Sequence, residues 1–467
     1  MTELPEGWAW ATVDDLAETS LGKMLDAKRQ TGAHPTPYLR NINVRWGGFD
    51  LGDVAEMDIA PHELDRVLAQ PGDVIVCEGG EPGRAAVWRG QPVALQKALH
   101  RIRPVAGVSP DYLAFSLRSA ASTKQLDRLF TGTTIKHLPQ EKLRQVPVPL
   151  APSAEQDRIV AAIAEAFSKL DAGEAGLGTV RQLLKRLRDT ILAAAVTGRL
   201  VPQDPTDAPT GRLLADHSIE EISPADAPML PTGWCWAELG DAAFDSGYGT
   251  SVRCTYDADG PGVLRIPNIR AGRVDLTDLK RAPLSAGLEE SIFLEPGDLL
   301  IVRTNGSRDL IGRCAAVTAS LGCSFASYLI RFRLRTDLLS ASFASRQLVA
   351  QWWRLRLESM AASSAGQYNL SLRGLSPLPM AVPPLAEQGR IVAEVERQLS
   401  FVEACERAVE VGLARSAALR RSVLKAAVDG RLVPQDPSDE PATILLNRIR
   451  AERSAQPAAR QRTRQSA

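Results

Sequence analysis

The sequence predicts an α/β (α+β) chain: two mixed α/β modules separated by two long α-helices packed as an antiparallel coiled coil, with a pseudo-twofold internal repeat. Three observations predict it. First, Glu155-Gln156-Asp157-Arg158-Ile159-Val160 returns as Glu387-Gln388-Gly389-Arg390-Ile391-Val392, and the octapeptide Gly198–Pro205 returns unchanged as Gly430–Pro437, both 232 positions later. Second, the segments between these marks place apolar residues at alternating steps of three and four. Third, the segments before them lose that period and show short β-branched runs between Gly and Pro turns.

The first module is expected over residues 1–150 and the second over 215–382. Leu4-Pro5-Glu6-Gly7-Trp8-Ala9-Trp10 matches Leu230-Pro231-Thr232-Gly233-Trp234-Cys235-Trp236 at an offset of 226. Pro71-Gly72-Asp73 matches Pro296-Gly297-Asp298 at 225. The offset therefore drifts in the modules and locks in the helices. Strands are expected at Val74–Val76, Leu299–Val302 and Tyr328–Phe332, and helices over Asp111–Leu129 and Ala341–Leu357. The paired tryptophans read as core anchors.

The first spacer helix with its C-cap is expected over 151–214, and the second spacer helix over 383–450. Pro147, Pro149 and Pro152, and Pro379, Pro383 and Pro384, set their starts. The first seam runs through Ile163, Ala166, Leu170, Gly173, Leu177, Val180, Leu184, Leu187, Ile191 and Ala194. The second runs through Val395, Val402, Cys405, Val409, Leu419, Val423 and Ala426. Gly198 and Gly430 read as C-terminal stops, each followed by Pro. About 40 residues at ~1.5 Å rise make each helix roughly 60 Å long. Gly173, Gly176 and Gly178 suggest a bend or a close helix approach. Residues 451–467 read as a basic, disordered tail.

Composition excludes more than it assigns. The 55 basic and 55 acidic residues cancel, so charge alone does not indicate nucleic acid. Cys77, Cys235, Cys254, Cys314, Cys323 and Cys405 form no Cys-x-x-Cys pair, which leaves packing as their expected role. No apolar run is long enough for a membrane span, and the N-terminus lacks a signal-peptide pattern, so a cytoplasmic protein without membrane partners is expected. There is no Gly-x-x-x-x-Gly-Lys-Ser/Thr loop, Asn-Pro-Pro-aromatic motif or Asp…Glu-x-Lys cluster. No catalytic residue, metal site or cofactor of the chain's own is expected.

What the modules offer is polar turns rich in Arg. Arg40, Asn43 and Arg45 match Arg265, Asn268 and Arg270; Arg suits guanine edges and Asn suits adenine. Asn43 and Asn268 can equally be turn residues with satisfied backbone bonds. After Pro-Gly-Asp, the loops differ: Glu78-Gly79-Gly80 against Asn305-Gly306-Ser307-Arg308. A third pair precedes each long helix, with Lys136 and His137 in the first copy and Gln367, Tyr368 and Asn369 in the second.

These marks together resemble the specificity subunits of type I restriction–modification systems. The resemblance rests on the Leu-Pro-x-Gly-Trp opening, the Pro-Gly-Asp strand, the proline lead into Ala-Glu-Gln-x-Arg-Ile-Val and the Gly-Arg-Leu-Val-Pro-Gln-Asp-Pro stop, in doubled order over nearly the whole chain. It departs at Leu150-Ala151-Pro152-Ser153, where the second copy has Pro383-Pro384-Leu385. The resemblance implies two target recognition domains reading the halves of an asymmetric site in double-stranded DNA. It also implies two methyltransferase subunits docked on the helices, restriction and translocase subunits in the full complex, and S-adenosylmethionine, ATP and magnesium on those partners. A coiled-coil adaptor whose modules bind something other than DNA is the alternative.

Overall fold

The computed structural model describes residues 3–26, 30, 32–270, 272–364 and 366–455. They form two compact units: Met1–Leu177 with Val411–Ala467, and Gly178–Glu410. The helices used below are α1 (Pro110–Ser122), α2 (Ser153–Val196), α3 (Thr210–Asp216), α4 (Ala341–Val349), α5 (Leu385–Val428) and α6 (Ala442–Ala455). The unit boundary falls inside α2 and α5. Each unit thus combines one module, the start of the helix that follows it, and the end of the helix from the other repeat.

In the first unit the strands Ala17–Leu21, Leu99–Pro104, Val74–Cys77 and Ala85–Val87 form one antiparallel sheet in that spatial order. Every residue of Val74–Cys77 is buried, as a central strand with both faces covered requires. The second unit repeats the order with Ala243–Tyr248, Leu329–Leu334, Asp298–Val302 and Cys314–Ala316, then adds Gly272–Val274 and Ile269–Arg270 at the edge. Asp73 and Asp298, the acids of the two Pro-Gly-Asp turns, are buried beside this sheet. Asp73 accepts two bonds of 2.7 Å from Arg103, and Asp298 accepts bonds of 2.9 and 3.2 Å from Arg333. Such bidentate pairing makes a buried carboxylate tolerable.

The proline-rich leads do more than set helix starts. Pro147–Leu150 and Pro379–Val382 are strands, paired antiparallel with Ala9–Thr12 and Cys235–Glu238 of the tryptophan-bearing openings. Trp8, Trp234 and Trp236 are core residues, while Trp10 is half-buried. Trp8 Nε1 donates to Glu155 at 2.9 Å, and Trp234 Nε1 donates to Glu387 at 2.9 Å. Gln156 and Gln388 accept from the N-cap backbones of α1 and α4, at Ser109 and Ser340, both at 2.8 Å. Burial, only partly opposed by the tryptophan bond, raises both glutamic acids above their ordinary pKa.

The octapeptide of one repeat closes onto the helix start of the other. Arg158 pairs with Asp439 at 2.6 Å in the first unit, and Arg390 with Asp207 at 2.5 Å in the second. Gly198 and Gly430 both have φ +65°. A Cβ on Gly198 would lie 2.2 Å from Pro231, and one on Gly430 would lie 2.3 Å from Pro5. Left-handed backbone and close packing both demand glycine there.

Several expectations are corrected. The helix expected over Asp111–Leu129 stops at Ser122, where Thr123 leaves helical geometry and Lys124 takes φ +60°. Ala341–Leu357 is broken at Ala350, whose backbone is extended, into α4 and a helix over Gln351–Met360. The stretch 383–450 is not one helix: α5 ends at Val428 and α6 begins at Ala442. Residues 451–455 continue α6 rather than beginning a tail, because Leu445, Leu446 and Ile449 bury in the first unit's core. Arg448 pairs with Glu440, Arg450 with Asp15, and Arg453 donates to the Asp14 carbonyl. Arg460, Arg462 and Arg464 lie outside the described residues.

The helix seam is also only partly buried. Ile163, Leu184, Ile191, Val395, Val402 and Val409 are buried, but Val180, Leu187 and Leu419 are exposed. Within the first unit the two helix segments run antiparallel, with Arg420 on Asp171 (2.5 Å) and Ser416 on Glu174 (2.5 Å). Within the second, Arg188 reaches Glu406 at 3.0 Å. Gly173, Gly176 and Gly178 face open space; the close approach is at Gly412, where a Cβ would stand 3.0 Å from Leu177.

Candidate nucleic-acid interface

Both copies of the Arg-x-x-Asn turn have the same internal geometry. Asn43 Oδ1 accepts from the Arg40 backbone at 2.9 Å, while its Nδ2 donates to the carbonyls of Asp50 (3.0 Å) and Asp53 (2.8 Å). Asn268 bonds to Arg265 (2.8 Å), Asp275 (2.8 Å) and Asp278 (3.0 Å) in the same way. Both amides are buried with both donor hydrogens used. This corrects their assignment as base contacts: they shape the turn.

The arginines are held differently. Arg40 binds the carbonyl and carboxylate of Asp53, both at 2.8 Å, and Arg265 binds those of Asp278 at 3.0 and 3.2 Å. Arg45 and Arg270 are exposed, with side chains 53% and 64% accessible, and rest on Asp50 (3.1 Å) and Asp275 (3.3 Å). Hydrogen bonds from Thr277 and Tyr256, respectively, are the largest cause holding Asp275 and Asp278 below the usual carboxylate range. Asp275 and Asp278 therefore stay ionised and keep their arginine forks oriented. Exposed pairs of this kind contribute little to stability.

In the first unit the three candidate loops meet. The Gly79 backbone bridges to His137, and Leu138 N donates to Glu78 O at 2.8 Å. A Cβ on Gly79 would stand 3.1 Å from the His137 ring, and one on Gly80 would stand 2.8 Å from Asn41. Only glycines let these loops approach so closely. Thr131 and His137 exchange two backbone bonds of 2.8 Å, which leaves Lys136 exposed at the tip, 6.0 Å from the Phe130 ring.

In the second unit two of the three loops join. Thr304–Asn305 pairs with Gln367–Asn369, placing Asn305 opposite Tyr368 and Thr304 opposite Asn369. Asn305 Oδ1 accepts from Ser307 N at 2.7 Å, and Arg308 stands 3.9 Å from Glu358. Among the described residues no hydrogen bond joins this ribbon to the Arg265–Arg270 turn.

Sequence reasoning missed several polar residues here. Arg84 donates to the Asn41 carbonyl at 2.8 Å and pairs with Glu81, which also accepts from Trp46 Nε1 at 2.8 Å. In the second unit Arg303 lies 4.9 Å over the Tyr248 ring. Their only sequence signal was proximity to the Pro-Gly-Asp strand; their contacts come from distant segments.

The ordinary marks of a reaction centre do not gather here. Among the described residues, no group of three or more His, Cys, Asp or Glu is placed to hold a metal. Burial pushes the Cys77 and Cys235 thiols to about 11 and Cys314 to about 12, so all three stay protonated at neutral pH. Among the described residues, no helix is long and apolar enough to cross a membrane.

Comparison with known proteins agrees with this arrangement. The type I restriction modification DNA specificity domain matches residues 5–176. The StySPI specificity subunit of Salmonella potsdam is 26% identical over 97% of this chain and 96% of its own. The EcoKI specificity subunit of Escherichia coli K12 is 25% identical over 97% of both chains. A solved chain from a study of complex assembly in a type I system shares the fold at TM-score 0.66, with 20% identity, covering 92% of this chain and all of that one. The HsdS subunit of Thermoanaerobacter tengcongensis does so at 0.54, with 21% identity, over 92% and 98%. With a specificity-domain match over residues 5–176 and relatives aligned along nearly its whole length, the chain is similar to the specificity subunits of type I restriction–modification systems.

Proposed function

We propose that the chain reads a two-part, asymmetric target in double-stranded DNA, one half with each unit's module. Its long helices dock two methyltransferase subunits, and restriction and translocase subunits complete the complex. S-adenosylmethionine, ATP and magnesium belong to those partners. One observation carries the reading: two frames with the same internal bonds hold loops of unlike chemistry. Gly79, Lys136 and His137 stand in one, and Asn305, Ser307, Arg308, Gln367, Tyr368 and Asn369 in the other. Equal frames with unequal tips suit two different half-sites. Arg45 and Arg270 are the leading contacts to phosphate or guanine, since their exposed pairs exchange readily for a nucleic-acid acceptor.

Methylome sequencing of a host with and without the chain tests this. A two-part methylation motif should vanish with the chain. Replacing residues 1–145 with those of another specificity subunit should alter one half of the motif only; altered bases in both halves would refute modular reading. The purified chain alone should incorporate no methyl groups into DNA.

A further inference from the structure

In each unit one arginine joins the Arg-x-x-Asn turn to a long helix, and the two units do it with different chemistry. In the first, Val44–Arg45 and Gly48–Phe49 form a hairpin whose bend includes Trp46 and Gly47, at φ +77°. Arg118 of α1 lies beneath it, Nη1 3.8 Å from where a Gly47 Cβ would sit. Its guanidinium is 5.7 Å from the Trp46 ring centroid and 5.1 Å from that of Phe167 on α2. Among the described residues it has no ion-pair partner. Arg420 stacks 5.1 Å from the same Phe167 ring. These groups line a cleft of about 450 Å³.

In the second unit the equivalent hairpin joins Ile269–Arg270 to Gly272–Val274, and Gly272 has φ +80°. Arg346 of α4 lies beneath it, Nη1 2.7 Å from a Gly272 Cβ position. It reaches Glu396 on α5 at 3.4 Å, and Arg273 of the hairpin reaches the same carboxylate oxygen at 3.4 Å.

The two arginines are not repeat equivalents. Arg118 stands nine residues after its N-cap Ser109, and Arg346 six after Ser340, about one helical turn apart. Duplication alone therefore does not explain why both modules place a guanidinium against the hairpin glycine and extend it to the long helix. We propose that Arg118 with Phe167, and Arg346 with Glu396, are positioning residues that fix each reading turn on its helix; the second tie is ionic and salt-labile, the first aromatic and salt-resistant. The asymmetry follows from the partners. Arg346 is itself buried, but Glu396 and Arg273 are 46% and 64% accessible, so counterions screen the carboxylate it binds, whereas Arg118 lies against two rings and no carboxylate.

The consequence for base choice rests on the DNA-reading proposal; the tie itself does not. Hydrogen exchange on the full chain at about 0.05 and 0.5 M salt, a span that shortens the screening length several-fold, tests the tie. Salt should speed exchange at Arg270 and Arg273 on the order of threefold, the size of an exposed ion pair, and leave Arg45 and Gly48 nearly unchanged. Glu396→Gln should abolish the salt response in the second hairpin. Arg118→Lys, which keeps charge but loses the planar stack, should loosen the first hairpin alone. Equal salt responses in both hairpins, or an unchanged response in Glu396→Gln, would overturn the proposal. In the assembled methyltransferase, Glu396→Gln should relax base choice in one half of the motif and Arg118→Lys in the other; relaxation of both halves by either variant would also overturn it. A wild-type enzyme with no two-part preference would instead sink the DNA-reading proposal, and the exchange result would still decide the tie.

Discussion

The two units share a frame and differ at its tips. In the frame, the Trp–Glu bond, the Gln on an N-cap, the Arg–Asp clip and the glycine against a proline occur in both units, with closely matching distances. At the tips, three loops converge in one unit and two form a ribbon in the other. The difference separates two kinds of constraint. Most of the frame's groups are buried or half-buried and hydrogen-bonded, so most changes there leave a partner stranded. The tips are solvated, so their chemistry is free to vary.

Gly430→Ala and Gly198→Ala are the harshest tests of frame equivalence. Each forces a Cβ onto left-handed backbone, costing about 1–2 kcal/mol, and into a proline ring, costing about 1–3 kcal/mol more. Each should destabilise its own unit by a similar amount, read as faster exchange at the adjoining Trp8 or Trp234 ribbon. A loss confined to one variant would break the equivalence. Next in size are Asn43→Ala and Asn268→Ala. Each removes three bonds from a buried amide and strands one carbonyl and one N–H, the other carbonyl keeping its arginine, for about 2–3 kcal/mol. Melting curves should show equal losses; a variant that keeps its stability but loses DNA binding would restore that Asn as a base contact.

Much of this was legible in the sequence, and the physical reasons differ by element. The octapeptides and Glu-Gln-x-Arg motifs revealed the repeat because Gly198, Gly430 and the Glu, Gln and Arg of each motif have matching partners in both units. The positions of those partners were not legible. Nothing local says that Arg158 meets Asp439 or that a proline run is a strand, because both depend on segments far apart in the chain. The heptad was right as a helix signal but overstated burial, since Val180, Leu187 and Leu419 keep the period without a covering surface. Asn43 illustrates the limit at the site. The residue types that suit adenine also suit a turn, and only the positions of Asp50 and Asp53 decide between them.

The smallest expected effect probes a difference in bonding between the two frames. Glu387 takes Trp234 on one carboxylate oxygen and Gln203 on the other, at 2.9 and 2.6 Å. Among the described residues Glu155 takes only Trp8, and its second oxygen is buried without a hydrogen-bond partner. Both acids have folded pKa values above the ordinary glutamate value of 4.5, mainly through burial. The stability each contributes is thus fully present below 4.5 and lost as pH rises through the raised value. Glu155→Gln removes an under-satisfied carboxylate and retains an acceptor for Trp8. It should be neutral to stabilising, by less than about 1 kcal/mol, and should flatten the fall in stability as pH rises above 4.5. Glu387→Gln removes the same charge but offers one oxygen to two donors. Unless Gln203 turns its amide over, one donor is stranded, and the variant should lose about 0.5–1.5 kcal/mol at neutral pH. Denaturation midpoints of the two variants across that range would decide. If both variants gain stability equally, the Gln203 bond contributes nothing and the two frames are energetically the same.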